Sequence, residues 1–207
     1  MLKNADSREC RLPVGKVVFF ATGNINKFNE ARSILSQYGV TVGMLKLKGD
    51  EVQSDSLQEI AEKSVKNAYE TCHLPIFVED AGLFIDALKG FPGPYAAYVY
   101  KTIHNNGVLK LMAEEKNRKA VFQSVIAFCS KETPTPVSFF GESKGEITQT
   151  QRIETGKSGF GFDPIFQPDG SSKTFAEMTI EEKNVYSHRA NAIHKFAEWY
   201  ENQTKKH

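Results

Sequence analysis

Side chains suited to binding or catalysis are concentrated in four short segments of this 207-residue chain. The first is Thr22-Gly23-Asn24-Ile25-Asn26-Lys27, which lies between an apolar run and a helical pattern. A glycine-containing turn at a helix N-terminus offers backbone N–H groups to phosphate oxygens, and Lys27 adds a positive charge. The glycine–lysine spacing of a Walker A loop is absent. Taken alone, the segment fits an ordinary strand-to-helix turn capped by Asn24 equally well.

The second segment is the acidic pair Glu79-Asp80, which follows the apolar run Ile76-Phe77-Val78. Ligands of α/β sheets bind beyond the carboxyl ends of the strands. Acids at this place could hold Mg²⁺, which prefers oxygen ligands and bridges phosphates. Glu51 is a candidate second ligand. Considered singly, each acid is better explained as a solvated loop residue.

The third segment is Gly159-Phe160-Gly161-Phe162-Asp163-Pro164. Glycines beside an aromatic residue leave one face of the ring open, and a nucleobase can stack on such a face. Asp163 could accept a hydrogen bond from a base N–H. The alternative is a turn whose phenylalanines, Phe162 above all, fill the core.

The fourth segment is Ser187-His188-Arg189, preceded by Lys183. Ser187 is a favourable N-cap, so His188 and Arg189 should project from the first turn of a helix. Positive charge there opposes the helix dipole and suggests an anionic or acceptor-rich ligand. The alternative is a solvated helix start.

The elements that must position these segments alternate as strand, helix, strand, helix, strand, which indicates an α/β layer. The predicted strands are Lys16–Ala21, Val40–Leu47, Ile76–Val78, Ala120–Cys129, Val137–Phe140 and Glu146–Thr148. One helix should carry Phe28, Ala31, Ile34 and Leu35 inward and end at Gly39, and another should open at Ser56 and stop before Leu74-Pro75. A rigid loop is expected at Gly90–Pro94, a short helix from Val108, and a final helix over about Ser187–Asn202.

Composition excludes several classes of protein. The net charge of +1 argues against a nucleic-acid binder with a broad basic face. Cys10, Cys72 and Cys129 are far apart and lack metal spacing, which favours a reducing, cytoplasmic location over a disulfide or zinc protein. No apolar run reaches the length of a membrane span. We expect a flexible tail over residues 1–13 and a single domain over 14–207.

Five motifs then follow one another in order: TGNINK (22–27), VEDAGL (78–83), FPGPY (91–95), GFGFDPIF (159–166) and FAEMTIEEKNVYSHR (175–189). Together they resemble the inosine triphosphate pyrophosphatase (Ham1/RdgB-like) family. The resemblance implies an elongated α/β fold with a mixed central sheet, flanking helices and two lobes around a nucleotide-binding cleft. It also implies a homodimer that hydrolyses ITP, dITP and XTP to the monophosphate and pyrophosphate with Mg²⁺.

The same resemblance assigns roles to individual residues. Asp80 would be metal ligand and base for a water that attacks the α-phosphorus, Glu51 the second metal ligand, and Lys27 a stabiliser of the leaving pyrophosphate. The implied substrate contacts are Thr22, Gly23, Asn24, Ile25, Asn26, Lys27, Ala81, Phe160, Gly161, Phe162, Asp163, Lys183, His188 and Arg189. Many relatives carry a phosphate-contacting lysine where this chain has Ser64, with Lys63 and Lys66 nearby.

Two other functions stay open from the residues. A house-cleaning pyrophosphatase for modified pyrimidine nucleotides would have a related Maf-like fold, although the segments around Phe160 and Arg189 favour a purine. A nucleotide-binding module without catalysis is the second alternative. Paired acids argue against it, because carboxylates repel phosphate unless a metal is present.

Overall fold

A computed structural model describes residues 16–47, 52–154 and 159–204. The predicted tail, residues 1–13, and Glu51 lie outside the described residues. The strands are β1 Lys16–Ala21, β2 Val40–Leu45, β3 Ile76–Ile85, β4 Pro92–Gly93, β5 Lys119–Cys129, β6 Val137–Ile147 and β7 Phe166–Pro168. The helices are α1 Ile25–Gln37, α2 Leu57–Cys72, α3 Ala96–Leu111, α4 Ile180–Tyr186 and α5 His188–Thr204.

The strands form one mixed sheet in the order β2-β1-β3-β5-β6-β7, with β4 pairing to β3. The pairs β1–β2 and β1–β3 are parallel, whereas β3–β5, β5–β6 and β6–β7 are antiparallel. Parallel pairing needs helical crossovers, and α1 and α2 supply them. The predicted α/β class with a mixed central sheet is therefore confirmed.

Helices cover both faces of the sheet. On one face α1 and α5 pack on β1 and on Phe77 and Phe128, and the resulting cluster includes Ile34 and Phe196. On the other face α2 packs through residues such as Val65 on β3 and β5. A third cluster joins the far ends of β3 and β5 to α3 and to the segment around Phe175.

Strand β3 is longer than predicted, and this changes the setting of the acidic pair. It continues to Ile85 and pairs with β5 along its whole length, from Ile76–Cys129 to Ile85–Ala120. Glu79 and Asp80 therefore lie within the strand and not beyond its end. Their side chains point to opposite faces of the sheet, because neighbours on a strand alternate.

Other elements also differ from expectation, including β2, which ends at Leu45 and not at Leu47. The segment around Gly141 and Gly145 is one strand, β6, and not two. The short helix expected from Val108 is the end of α3, which starts at Ala96 and leaves helical geometry at His104, where φ is +54°. Helix α4 was not predicted, although Thr179 and Glu182 form the capping box that opens it.

The glycine at position 141 brings β6 and α5 into close contact. A Cβ built there would overlap the main-chain O of His188 and the main-chain N of Ala192. The start of α5 therefore rests directly on the backbone of β6, and only glycine allows this approach.

The described cysteines are free thiols: Cys129 is buried and Cys72 is partly buried. Within the described ranges, no helix has the length and apolar composition needed to cross a membrane.

Candidate active site

The turn after β1 is organised by Asn24, the N-cap of α1. Its side-chain oxygen accepts hydrogen bonds from the main-chain N–H groups of Asn26 at 3.0 Å and Lys27 at 3.3 Å. Thr22 Oγ1 accepts from the N–H of Asn24 at 3.1 Å. These N–H groups, expected to be available to phosphate, are therefore satisfied within the turn. A Cβ at Gly23 would meet no protein atom within 4 Å, so packing does not require glycine there, and the space above it is open.

One edge of β3 is uncovered beside this turn. Strand β1 pairs with β3 at Ile76 and Phe77, and β4 pairs with the same strand at Leu83 and Phe84. Among the strands described, none pairs with this edge between those two contacts. Lys27 Nζ reaches the gap and lies 3.4 Å from the carbonyl oxygen of Glu79. A ligand could therefore pass the edge of the sheet at Glu79–Ala81.

Three acids and three bases form a buried chain of alternating charge on one side of this gap. Lys183 Nζ donates to Asp163 Oδ2 at 2.7 Å and to Glu30 Oε1 at 2.8 Å. Arg189 donates to Glu30 Oε2 at 2.5 Å and to Glu79 Oε1 at 3.0 Å. Lys27 Nζ closes the chain at 2.7 Å from Glu79 Oε2. The six charges sum to zero, so none of the buried charges is uncompensated.

The charges in this chain determine the pKa values of its acids. Burial alone would raise the pKa of Glu79, but Arg189 and Lys27 lower it to well below its ordinary range. Glu30 behaves in the same way, because Arg189 and Lys183 outweigh its burial and its pKa falls. Asp163 differs: burial raises its pKa more than Lys183 lowers it. Glu30 and Glu79 are therefore ionised at neutral pH.

Asp80 points to the opposite face of the sheet and stays outside this chain. Burial raises the pKa of Asp80 to about 6, with Lys27 opposing and Glu79 adding to the shift. Its Oδ2 atom is buried and has no hydrogen-bond partner. A buried carboxylate oxygen without a partner is costly and is suited to a proton or a cation supplied by a ligand.

The loop before β7 places an aromatic ring over the charged chain. Phe160 is partly exposed, and Lys183 Nζ and Arg189 Cζ lie 4.6 Å and 5.5 Å from its ring centre. Its main-chain N–H donates to Asp163 Oδ2 at 2.8 Å, and Gly161 turns the chain with φ +60°. Phe162 is buried and contacts Tyr100 edge to face, with ring centres 5.5 Å apart. Its side chain therefore fills the core, as the alternative interpretation of this segment predicts.

His188 is buried and neutral. Its ring stacks on Phe122 with centres 4.6 Å apart and planes at 9°. Burial lowers the pKa of His188 well below its ordinary value, and the charge of Arg189 lowers it further. Its Nδ1 atom is buried without a hydrogen-bond partner. A neutral imidazole offers one donor and one acceptor, so this ring can recognise polar atoms without carrying charge.

Ser187 caps α5 as predicted, since its Oγ accepts from the N–H of Ala190 at 3.2 Å. The reason for positive charge after this cap differs from the one expected. The charge of Arg189 is already compensated within the buried cluster of alternating charges, by Glu30 and Glu79, and does not depend on a ligand alone.

Two adjoining cavities share Ala97 as a lining residue. The first, about 480 Å³, brings together most of the predicted substrate contacts. Those in its lining are Asn24, Asn26, Lys27, Ala81, Phe160, Gly161, Phe162, Asp163, His188 and Arg189. The second, about 630 Å³, is lined by Asp80 and by Ser54, Ser64 and Lys101. Because Asp80 and Ala81 are consecutive on β3, the two cavities meet at the uncovered edge of that strand.

Several predicted residues do not line these cavities. Thr22, Gly23 and Ile25 belong to the turn beside the first cavity but are not in its described lining. Lys183 lies beside the ring of Phe160 in the buried charged chain. On α2, Ser64 lines the second cavity, whereas Lys63 and Lys66 are exposed to solvent. Neither lysine is among the described lining residues of either cavity.

Sequence reasoning missed Glu30, which joins Lys183 to Arg189. The helical pattern could have indicated this role. Glu30 adjoins Ala31 on the apolar face of α1, and a charge on a buried helix face must have partners. The sequence identifies Glu79 as one of a pair of acids, but it does not indicate the ion pairs of Glu79 with Arg189 and Lys27. Tyr100, which lines the first cavity, carried no signal.

A metal site is not complete within the described residues. They contain no group of three or more His, Cys, Asp or Glu side chains that could hold a metal ion. The donors that are present suit a hard cation in part, because Asp80 Oδ2 is an oxygen without a partner. The predicted second ligand, Glu51, is not among the residues described.

Comparisons with known proteins show which family this chain belongs to. The sequence profile described as the Ham1 family matches residues 18–199. A dITP/XTP pyrophosphatase of Methanopyrus kandleri is 52% identical over 185 residues, which cover 89% of this chain and 96% of the relative. One of Thermococcus kodakarensis is 49% identical over 186 residues, covering 90% and 98%. The solved structure of the Staphylococcus aureus Ham1 protein matches with a TM-score of 0.76 at 26% identity, covering 91% of this chain and 100% of that chain.

Proposed function

The chain belongs to the Ham1 family, and we propose that it hydrolyses ITP, dITP and XTP to the nucleoside monophosphate and pyrophosphate. One observation carries the proposal beyond family membership. The cavity lined by Phe160, His188 and Arg189 lies next to the second cavity, which is lined by Asp80: the two share Ala97, and the consecutive β3 residues Asp80 and Ala81 line one each. A purine in the first cavity would place its phosphates beside Asp80.

Phe160 supplies the surface on which the base stacks. Lys183 and Arg189 lie near its ring, so the ring is held in place by cation–π contacts. Stacking by itself accepts any purine, because every base has a π-face. Discrimination therefore depends on the polar atoms of the first cavity.

His188 and Arg189 would read the edge of the base. Two of the guanidinium nitrogens of Arg189 are used by Glu30 and Glu79, and within the described ranges no hydrogen bond involves Nη2. Nη2 is therefore a donor held in place by the two ion pairs of Arg189, and it suits the keto oxygen of hypoxanthine or xanthine. Adenine presents an amino group at that position, so two donors would face each other, a mismatch of roughly 10⁴-fold or more.

Asp80 would accept the proton of the attacking water. Its pKa of about 6 leaves it ionised at neutral pH while keeping it basic, which is the condition for an effective general base. The water would attack the α-phosphorus, and pyrophosphate would leave. Lys27, on the turn beside the uncovered edge, would stabilise the charge that develops on the leaving group.

Asp80 and Glu51 would hold a divalent ion, for which we propose Mg²⁺. The partnerless Oδ2 of Asp80 is the observation that favours a cation there. When bound, such an ion neutralises phosphate charge and lowers the pKa of a water molecule. Asp80 can take this role and still act as base, because a carboxylate has two oxygens.

The decisive experiment is a panel of ITP, dITP, XTP, ATP, GTP, dUTP and a methylated pyrimidine triphosphate, each with and without Mg²⁺. The products scored are monophosphate, diphosphate, phosphate and pyrophosphate. Magnesium-dependent release of monophosphate and pyrophosphate from ITP and XTP is the expected result. Preferred hydrolysis of the pyrimidine nucleotides would support the Maf-like alternative instead, and binding without turnover would support a non-catalytic module.

We also propose a homodimer, a cytoplasmic location and a single domain over residues 14–207. These proposals are supported by the family resemblance and by composition. Sedimentation analysis of the full chain tests the first of them.

A further inference from the structure

The second cavity extends past Asp80 along α2 and α3. Its lining includes Ser54, Ser64, Asp80, Ala97 and Lys101. If the proposed function holds, the α-phosphate lies beside Asp80 and the base occupies the first cavity. The remaining phosphates must then extend into the second cavity, where they need positive charge.

The basic residues around the first cavity are already matched by acids. Lys183 lies between Asp163 and Glu30, and Arg189 lies between Glu30 and Glu79. Lys27 pairs with Glu79 at 2.7 Å. Because each of these bases is paired with an acid, they offset only part of the charge of a polyphosphate, and Lys27 is the one of the three proposed to act on the leaving group.

Lys101 differs from these bases in position and in its partners. It lies on α3 four residues after Ala97, so both residues are on one face of the helix. Ala97 lines both cavities, and Lys101 lines the second. The side chain of Lys101 is exposed and makes no ion pair or hydrogen bond with residues 16–47, 52–154 and 159–204. Among the described lining residues of this cavity, it is the one with a positive charge.

We propose that Lys101 is a substrate-binding residue that contacts the β- and γ-phosphates, the part of the substrate that leaves as pyrophosphate. Its ammonium group is a flexible point charge with three donors, which suits a polyphosphate that must enter and then depart. The proposal assigns recognition of the base to α5, and places Lys101 of α3 beside the leaving group in addition to Lys27 of α1.

Product inhibition separates this role from a structural one. Pyrophosphate would contact Lys101, whereas IMP would occupy the first cavity and reach only as far as Asp80. Loss of a hydrogen bond to a charged group corresponds to about tenfold or more in affinity. For Lys101→Gln we therefore expect the inhibition constant of pyrophosphate and the KM of ITP to rise by about tenfold, while the inhibition constant of IMP stays within about twofold.

The matched control is Lys110→Gln. Lys110 is an exposed lysine of the same helix, and it is not among the described lining residues of either cavity. It should leave all three constants unchanged. Lys101→Arg should recover most of the pyrophosphate affinity, because the charge is kept.

Binding of inorganic tripolyphosphate, measured by calorimetry without added metal, gives a readout that does not need turnover. Weaker binding by Lys101→Gln than by Lys110→Gln supports the proposal. Equal binding by the two variants overturns it, as does an equal loss of IMP and pyrophosphate affinity. A wild-type protein that fails to hydrolyse ITP would contradict the proposed function, and the tripolyphosphate comparison would still decide the role of Lys101.

Discussion

Glu30 and Arg189 are 159 positions apart in the chain, yet Oε2 of one accepts a hydrogen bond from Nη1 of the other at 2.5 Å. Glu30 belongs to α1, which starts at the turn beside the uncovered edge of β3. Arg189 belongs to the first turn of α5 and lines the cavity proposed for the base. The bond therefore couples the element near the phosphates to the element that would read the base.

Replacing Arg189 tests its role in selectivity, but the structure shows that alanine is a poor test by itself. Arg189→Ala leaves Glu30 and Glu79 buried with fewer partners, a change that costs about 3–5 kcal/mol of folding stability. Arg189→Lys keeps the charge but loses the planar fork. We expect both variants to raise the KM for ITP and to narrow the ITP-to-ATP ratio of kcat/KM. Steady-state assays and urea unfolding measure the two effects separately, and an unchanged ratio in folded Arg189→Lys would place discrimination elsewhere.

Glu30 should make stability depend on acid pH. Its pKa is lowered in the folded protein, so it contributes stability that is present above the unfolded value of about 4.3. That contribution is lost as pH falls through the folded pKa. The difference in unfolding free energy between wild type and Glu30→Gln should be constant from pH 7 to about pH 5.5 and then shrink at lower pH.

Urea unfolding at several pH values measures this difference. Glu114→Gln, which changes an exposed glutamate, is the control and should show almost no difference at any pH. A wild-type advantage over Glu30→Gln that persists undiminished to pH 3 would contradict the assigned ion pairs.

Asp80 should be needed for turnover and should reduce stability. Asp80→Asn is expected to lower kcat by about a hundredfold or more, while IMP still binds. Because burial raises its pKa to about 6, ionised Asp80 is unfavourable in the folded protein above that pH. In EDTA at pH 8 the variant should therefore melt at least as high as wild type. Near-normal turnover would remove Asp80 from the role of base.

Phe160 should contribute to base binding without affecting the leaving group. Stacking on an aromatic side chain is worth about 1–3 kcal/mol per base. Phe160→Ala should therefore weaken IMP binding by about five- to a hundredfold and leave tripolyphosphate binding unchanged. Phe140→Ala, which removes another partly exposed phenylalanine, is the control. An equal loss of affinity for IMP and for tripolyphosphate would mean that the substitution disturbs the loop around Phe160 and does not act through the missing ring.

The sequence contained the local signals but not the long-range pairings. The caps at Asn24 and Ser187 were predictable because they depend on neighbouring residues. The predicted strand β3 is too short, because Glu79 and Asp80 interrupt its apolar run. In the structure the charge of Glu79 is compensated by Arg189 and Lys27, which the spacing of the residues does not indicate. The partners of Glu30 are more than 150 residues away, beyond what spacing can indicate.

Glycines caused a second kind of error. The sequence predicts separate strands over Val137–Phe140 and Glu146–Thr148, whereas Gly141 and Gly145 between them lie within β6 at sites where another backbone approaches the strand. The predicted homodimer, the magnesium ion and the role of Glu51 stay predictions.

The contact at Gly141 has a consequence for how substrate preference could change. A single added methyl group at this position would displace the beginning of α5, and with it the two side chains proposed to face the base. Substrate preference could therefore change during evolution without a substitution at any ligand contact. A substitution at position 141, which lies outside both cavities, would change the orientation of His188 and Arg189.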